Sequence, residues 1–179
     1  MVISDHPVEA ANMGSKILVT YASRKGSTKE IAEAIAKELR ATGRDVDTME
    51  IASIHSVSGY HAVVIGGPVY MGRVVGDVKK FVGRYRDDLS KIPVAAFTVG
   101  LAPVSGEAEA QKIVAALHDS VAPLQPVAET AFAGKLDPEK LSFFQRWITK
   151  KVNSPVGDFR NWDAIAQWAR ALPGKLGAP

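Results

Sequence analysis

Cysteine is missing from this 179-residue chain, which removes thiol nucleophiles, thiolate zinc centres, iron–sulfur clusters and disulfide bridges together. Any redox chemistry must then belong to a bound cofactor. Histidine is scarce: His6, His55, His61 and His118 stand apart without the spacing of a helical metal site, so no metal is expected. No stretch approaches the ~18 consecutive apolar residues of a membrane span. Residues 1–15 contain Asp5 and Glu9 but no Lys or Arg, unlike the start of a secretory signal. The expectation is a cytoplasmic protein with 1–15 as a disordered tail. Charge of one sign is also not in great excess: a net charge of +3 gives no case for nucleic acid as a partner.

What remains is an ordinary globular composition, 46% apolar and 23% charged, at the length of one domain, so 16–179 is read as a single domain. "KILVTY" is a short β-branched run that reads as a buried strand. Residues 27–42 switch to helical period, with Ile31, Ala32, Ile35, Ala36 and Leu39 forming the apolar stripe and Gly43 the stop. The alternation continues: strands at "DVDTMEI", "HAVVIGG", "PVAAFTVG" and "PVAETAFAG", and helices near 74–85, 107–118 and 162–172. Five strands alternating with helices predict a parallel sheet covered on both faces.

In such a sheet ligands sit at the carboxyl ends of the strands. The first of these ends carries "ASRKGST", where a helix N-terminus and a glycine offer backbone N–H groups to a phosphate. Ser27 and Glu30 also match the S-x-x-E capping box, which would start the helix without any ligand. Two further loops have similar character, "GGPVYMGR" and "TVGLAP". In the former, Gly66, Gly67, Pro68 and Gly72 read as turn residues that display Tyr70 for contact with a flat ring.

Together these stretches resemble the flavodoxin family, whose phosphate loop has a Ser/Thr-x-x-Gly-x-Thr form; here it stands as Ser23 to Thr28. The resemblance implies an α/β, doubly wound, five-stranded parallel sheet in order 2-1-3-4-5, for which flavodoxins are the standard example. It also implies FMN as cofactor. Ser23, Arg24, Lys25, Gly26, Ser27 and Thr28 would lie at its phosphate. Pro68, Val69, Tyr70, Met71 and Gly72 of the second loop, and Thr98, Val99, Gly100 and Leu101 of the third, would surround its ring system.

One segment breaks the rhythm. Between the fifth strand and the last helix, residues 135–155 carry Lys135, Lys140, Arg146, Lys150 and Lys151, which outnumber Asp137 and Glu139 by three, the net charge of the whole chain. Leu141, Phe144, Trp147, Ile148 and Val152 recur there at helical spacing beside Phe143, predicting an inserted basic amphipathic helix. Such a helix suits an anionic membrane surface, an apolar partner, a second copy of the chain, or its own core.

With "YASRKGST", "VVIGGPVYMGRV", "FFQRWITKKV" and "GDFRNWDAIAQWA", the chain resembles the menaquinone-dependent protoporphyrinogen dehydrogenase branch. That resemblance implies oxidation of protoporphyrinogen IX with a quinone as acceptor, at the inner face of the cell membrane. Arg73, Phe143, Phe144, Arg146, Trp147 and Lys150 are the substrate-binding candidates. No acid–base residue is assigned, because Asp77 and Asp163 read as solvated helix-start carboxylates. A flavodoxin-type electron carrier, an NAD(P)H-dependent quinone reductase and a flavin-free interaction module stay open. The sequence pI near 9.1 departs from the acidic character usual for carriers, and no nicotinamide site is legible.

Overall fold

The structure, a computed structural model, describes residues 16–151 and 156–178. The expected tail at 1–15 and residues 152–155 of the inserted segment lie outside the described residues.

Strand β1 (Lys16–Tyr21) is buried along almost its whole length. It feeds the loop 22–26 and then α1 (Ser27–Ala41), whose predicted stripe is fully buried. Next come β2 (Asp45–Glu50), β3 (Tyr60–Tyr70), β4 (Arg73–Val74), α2 (Gly76–Arg84) and α3 (Arg86–Leu89). The second half runs β5 (Val94–Gly100), α4 (Glu107–Val121), β6 (Ala128–Ala133), β7 (Lys135–Leu136), α5 (Phe143–Lys151), β8 (Gly157–Asp158) and α6 (Trp162–Leu176).

The long strands are parallel in the order β2-β1-β3-β5-β6, the predicted five-strand order with β4 counted separately. Helices α1 and α6 cover one face, where Ile31, Ile35, Leu39, Ile165 and Leu172 join Val19, Val64 and Phe97. Helices α2 and α4 cover the other, where Val78, Phe81, Leu117 and Val121 meet Leu18, Val63 and Ala96. Alternation of side chains across each strand produces the two cores.

The structure corrects the sequence reading between residues 66 and 76. Gly66, Gly67 and Pro68 are not turn residues: they lie inside β3, which runs on to Tyr70. The glycines are there for packing. A Cβ on Gly66 would stand 2.1 Å from Phe97 Cζ, and one on Gly67 would stand 2.5 Å from Val78 Cγ2. The turn itself is Met71–Gly72, with φ of 51° and 73°, both positive as a two-residue type I′ hairpin requires. It pairs Tyr70 with Arg73 and Val69 with Val74. Because Arg73 and Val74 are used in this hairpin, α2 starts at Gly76 instead of Val74.

Candidate functional site

β1, β3 and β5 are neighbouring parallel strands, so their carboxyl ends, and the three predicted loops with them, lie together at one end of the sheet. The first loop is held by short-range contacts. Gly26 takes φ of 96°, its N–H donates to Ser23 Oγ at 3.2 Å, and its carbonyl accepts the N–H of Glu30 at 3.0 Å. The left-handed conformation is strained for any side chain, so glycine is the fitting residue.

The capping box does not form. Gly26 occupies the N-cap position without a side-chain cap. Ser27 Oγ instead accepts the backbone N–H of Lys135 at 3.0 Å, and the Glu30 carboxylate pairs with Arg160. The 15-residue helix α1 thus begins uncapped, with the positive end of its dipole and its first-turn N–H groups left to an anion. These residues fit a phosphate-bearing cofactor such as FMN.

Arg24 and Lys25, the two cations of the loop, go to different neighbours. Arg24 Nη2 lies 2.6 Å from Asp77 Oδ2 at the start of α2. Lys25 Nζ donates to Lys140 O at 2.9 Å and to Gln145 Oε1 at 3.3 Å. Between the loop and residues 135–141 runs a narrow cleft lined by Lys25, Ser27, Lys135 and Lys140. Thr28 is buried.

In the second loop, Pro68 is buried, Val69 half-buried, and Tyr70 to Arg73 exposed, with Met71 wholly so at the hairpin tip. Burial pushes the Tyr70 phenol up, while the charge of Arg24 pulls the other way, so the hairpin sits within the electrostatic reach of the phosphate loop. In the third, Thr98 and Val99 are buried inside β5, and Thr98 Oγ1 donates to Gly67 O at 2.9 Å. Only Gly100 and Leu101 of that group are at the strand end, ahead of the short helical turn Ala102–Ser105.

The late segment is tied to this site. Strands β7 and β8 pair antiparallel at its base, Lys135 opposite Asp158 and Leu136 opposite Gly157. Helix α5 follows, with Phe143 90%, Phe144 65% and Trp147 52% exposed. An aromatic stripe serving the protein's own core would be covered, and this one is not. Phe144 and Trp147 stack at 6.2 Å, and Lys151 Nζ lies 4.6 Å from the Trp147 ring centre. Arg146 Nε donates to Pro138 O at 2.8 Å. Leu141 precedes the helix, and Val152 falls outside the described residues.

Arg160 is the residue that sequence reasoning missed. Its guanidinium is held by Asp158 and Glu30, over the Trp162 ring. Asp158 is pulled down to about 2 by its hydrogen bonds with Arg160. The only signal was the string "GDFRNWD", which does not show that Glu30 is the second partner. Among the described residues there is no cluster that could hold a metal and no helix long and apolar enough to cross a membrane.

Comparison with known proteins agrees with this geometry. The family profile described as Flavodoxin domain matches residues 18–162. A protoporphyrinogen IX dehydrogenase [quinone] of Escherichia coli (strain K12) is 24% identical over 173 residues, covering 88% of this chain and 94% of that one. An NAD(P)H dehydrogenase (quinone) of Cupriavidus metallidurans is 29% identical over 90 residues, 38% of this chain and 45% of that one. Among solved structures, the Fusobacterium nucleatum flavodoxin bound to flavin mononucleotide superposes with a TM-score of 0.57 at 15% identity, covering 90% of this chain and 99% of that one.

Proposed function

The chain belongs to the flavodoxin family, whose cofactor is FMN, and on that premise we propose that this flavin oxidoreductase oxidises protoporphyrinogen IX, or a closely similar reduced substrate, with a quinone as electron acceptor. The observation that carries the reading is α5. Its aromatic and basic side chains are exposed on a segment anchored to the phosphate loop through Lys25 and Ser27. Similarity along nearly the whole chain to a protoporphyrinogen IX dehydrogenase supports the same reading.

FMN, when bound, supplies the two-electron chemistry that a chain without cysteine has to borrow. Ser23 to Thr28 are proposed to hold its phosphate through backbone N–H groups and the uncapped start of α1. The Tyr70–Gly72 hairpin and Gly100–Leu101 would flank its ring, with Pro68, Val69, Thr98 and Val99 fixing those two loops from inside the sheet. Arg73, Arg146 and Lys150 offer cations to substrate carboxylates, and Phe143, Phe144 and Trp147 offer an apolar wall. The same face suits a quinone dissolved in lipid, which supports a peripheral position at the inner face of the cell membrane as part of the proposal. Each pair of hydrogens removed from the porphyrinogen converts one quinone to its quinol.

The test is anaerobic. Protein loaded with FMN is mixed with protoporphyrinogen IX, with and without a menaquinone analogue, and porphyrin fluorescence is followed against a protein-free blank. Fluorescence that grows only with quinone is expected. No growth despite bound FMN would overturn the reading, and rapid bleaching of the flavin by NADH would replace it with an NAD(P)H-fed quinone reductase.

A further inference from the structure

A cavity of about 430 Å³ lies beside the predicted flavin site, between α2 and the end of β2. Its origin is topological. A parallel crossover usually carries an α-helix, whereas the connection from β2 to β3 is residues 51–59 with only the short turn Ile51–Ser53. That end of the sheet face is left without a covering helix.

The cavity has fixed walls. Ala22 and Phe81 are buried at its base and Ile51 and Tyr85 are partly buried. Tyr85 cannot swing in to fill the space, because its hydroxyl donates to Ile54 O at 2.9 Å and its ring packs on Phe81 at 5.2 Å. Thr20, two residues before Ala22 and so on the same face of β1, keeps a fully buried hydroxyl without a hydrogen-bond partner.

Its charges are unevenly paired. Asp77, Lys80 and Arg84 line it from one face of α2, at the i, i+3, i+7 spacing that stacks side chains. Asp77 is committed to Arg24. Among the described residues no carboxylate pairs with Lys80 or Arg84, two like charges four residues apart on one helix face. Glu50 stands at the opposite rim as the one remaining carboxylate. With Asp77 neutralised, the lining keeps a net positive charge next to apolar walls.

We propose that this cavity is a second ligand site, for a flat apolar ring bearing anionic groups that Lys80 and Arg84 receive. It adjoins the first loop at Ala22 and is coupled to it through the Arg24–Asp77 pair. On the reading given above, the first probe is the oxidised tetrapyrrole product, whose propionates would meet Lys80 and Arg84 here while those of the substrate meet Arg73, Arg146 and Lys150 beside α5, and the inference rests on that reading only for this probe. The same chemistry is carried by a nicotinamide dinucleotide, whose diphosphate would take the place of the propionates.

The test uses FMN-loaded protein and the double variant Lys80→Gln, Arg84→Gln. Binding of protoporphyrin IX, its dimethyl ester and NADH is measured by fluorescence titration. Protoporphyrin or NADH is expected to bind wild type at least about tenfold more tightly than the variant, and which of them does so identifies the source of the anion. The ester, with its propionates capped, should bind both proteins alike. FMN affinity should be the same in both, which also shows that the variant folds. Equal binding of protoporphyrin and NADH to the two proteins, or no binding of either, overturns the proposal. So does a variant with weakened FMN affinity, which would make the cavity part of the flavin site. Quinone-dependent turnover without any effect of the variant would sink the second site and leave the proposed reaction standing; variant-sensitive binding without turnover would do the reverse.

Discussion

The backbone N–H of Lys135 donates to Ser27 Oγ at 3.0 Å, across 108 residues of sequence. The contact places the start of the late basic segment on the first residue of α1, and with the bond from Lys25 to Lys140 it pins residues 135–141 beside the phosphate loop. A hydroxyl that would ordinarily cap its own helix is used for tertiary contact. The helix end it leaves uncapped is the feature that makes the loop suitable for an anion.

Ser27→Ala removes that contact and leaves the Lys135 N–H without its partner. A loss of about 1 kcal/mol is expected for such a bond, or roughly 2–4 °C in melting temperature for a chain of this size. Circular dichroism melts would register it, and limited proteolysis should cut faster within 135–158. An unchanged melt with unchanged proteolysis would mean that the segment is held by other contacts.

Gly66 and Gly72 should behave differently when changed to Ala. At Gly66 the new Cβ would meet the Phe97 ring at 2.1 Å, inside the buried core, so an overpacking cost of about 1–3 kcal/mol or more is expected. At Gly72 nothing lies within 4 Å and only the positive φ of 73° opposes the change, a cost of about 1 kcal/mol. Urea midpoints compared between the two variants check the order; a Gly72 variant less stable than the Gly66 variant would contradict it.

The Asp158–Arg160 pair gives stability a definite pH window. Asp158 is lowered from 3.8 to about 2 in the folded protein. Stabilisation from this carboxylate is therefore complete above about pH 4 and is lost as pH falls through about 2. The advantage of wild type over Asp158→Asn should be constant at neutral pH and shrink between pH 4 and 2, as read from urea unfolding at a series of pH values. An advantage that persists unchanged at pH 2 would show that the group is not titrating in this way.

The exposed face of α5 should matter for association and little for folding. Exposed substitutions usually shift stability by within about 0.5 kcal/mol, so Phe143→Ser, Phe144→Ser and Trp147→Ser combined should leave the melt nearly unchanged. Co-sedimentation with vesicles rich in anionic lipid should fall sharply in this variant. In Lys150→Gln, Lys151→Gln it should weaken and lose part of its salt dependence. If both variants sediment like wild type, α5 is not a membrane-facing surface.

Much of the fold was legible because its signals are local. The stripe Ile31, Ala32, Ile35, Ala36 and Leu39 has helical period and is fully buried; "KILVTY" begins and ends where the strand does. The polar loops after β1, β3 and β5 fall at the carboxyl ends of neighbouring strands, as alternation of elements implied. The hairpin at Met71–Gly72 was not legible, since Gly66 and Gly67 look like turn residues until Phe97 and Val78 are seen against them. Thr98 and Val99 lie in the strand "PVAAFTVG" as expected, so of the "TVGLAP" group only Gly100 and Leu101 reach its end.

The sequence alone determined the alternation of strands and helices, their approximate ends and the absence of thiol chemistry, and it marked the loop at Ser23 to Thr28 as the candidate for a phosphate, because periodicity, composition and turn chemistry act over a few residues. Tertiary structure decided which partner each polar side chain takes: Ser27 with Lys135, Lys25 with Lys140, Arg24 with Asp77, and Arg160 between Glu30 and Asp158. It also decided that the α5 aromatics remain uncovered and that a cavity opens beside α2. These features depend on residues far apart in the chain meeting in space, and no local pattern encodes that distance.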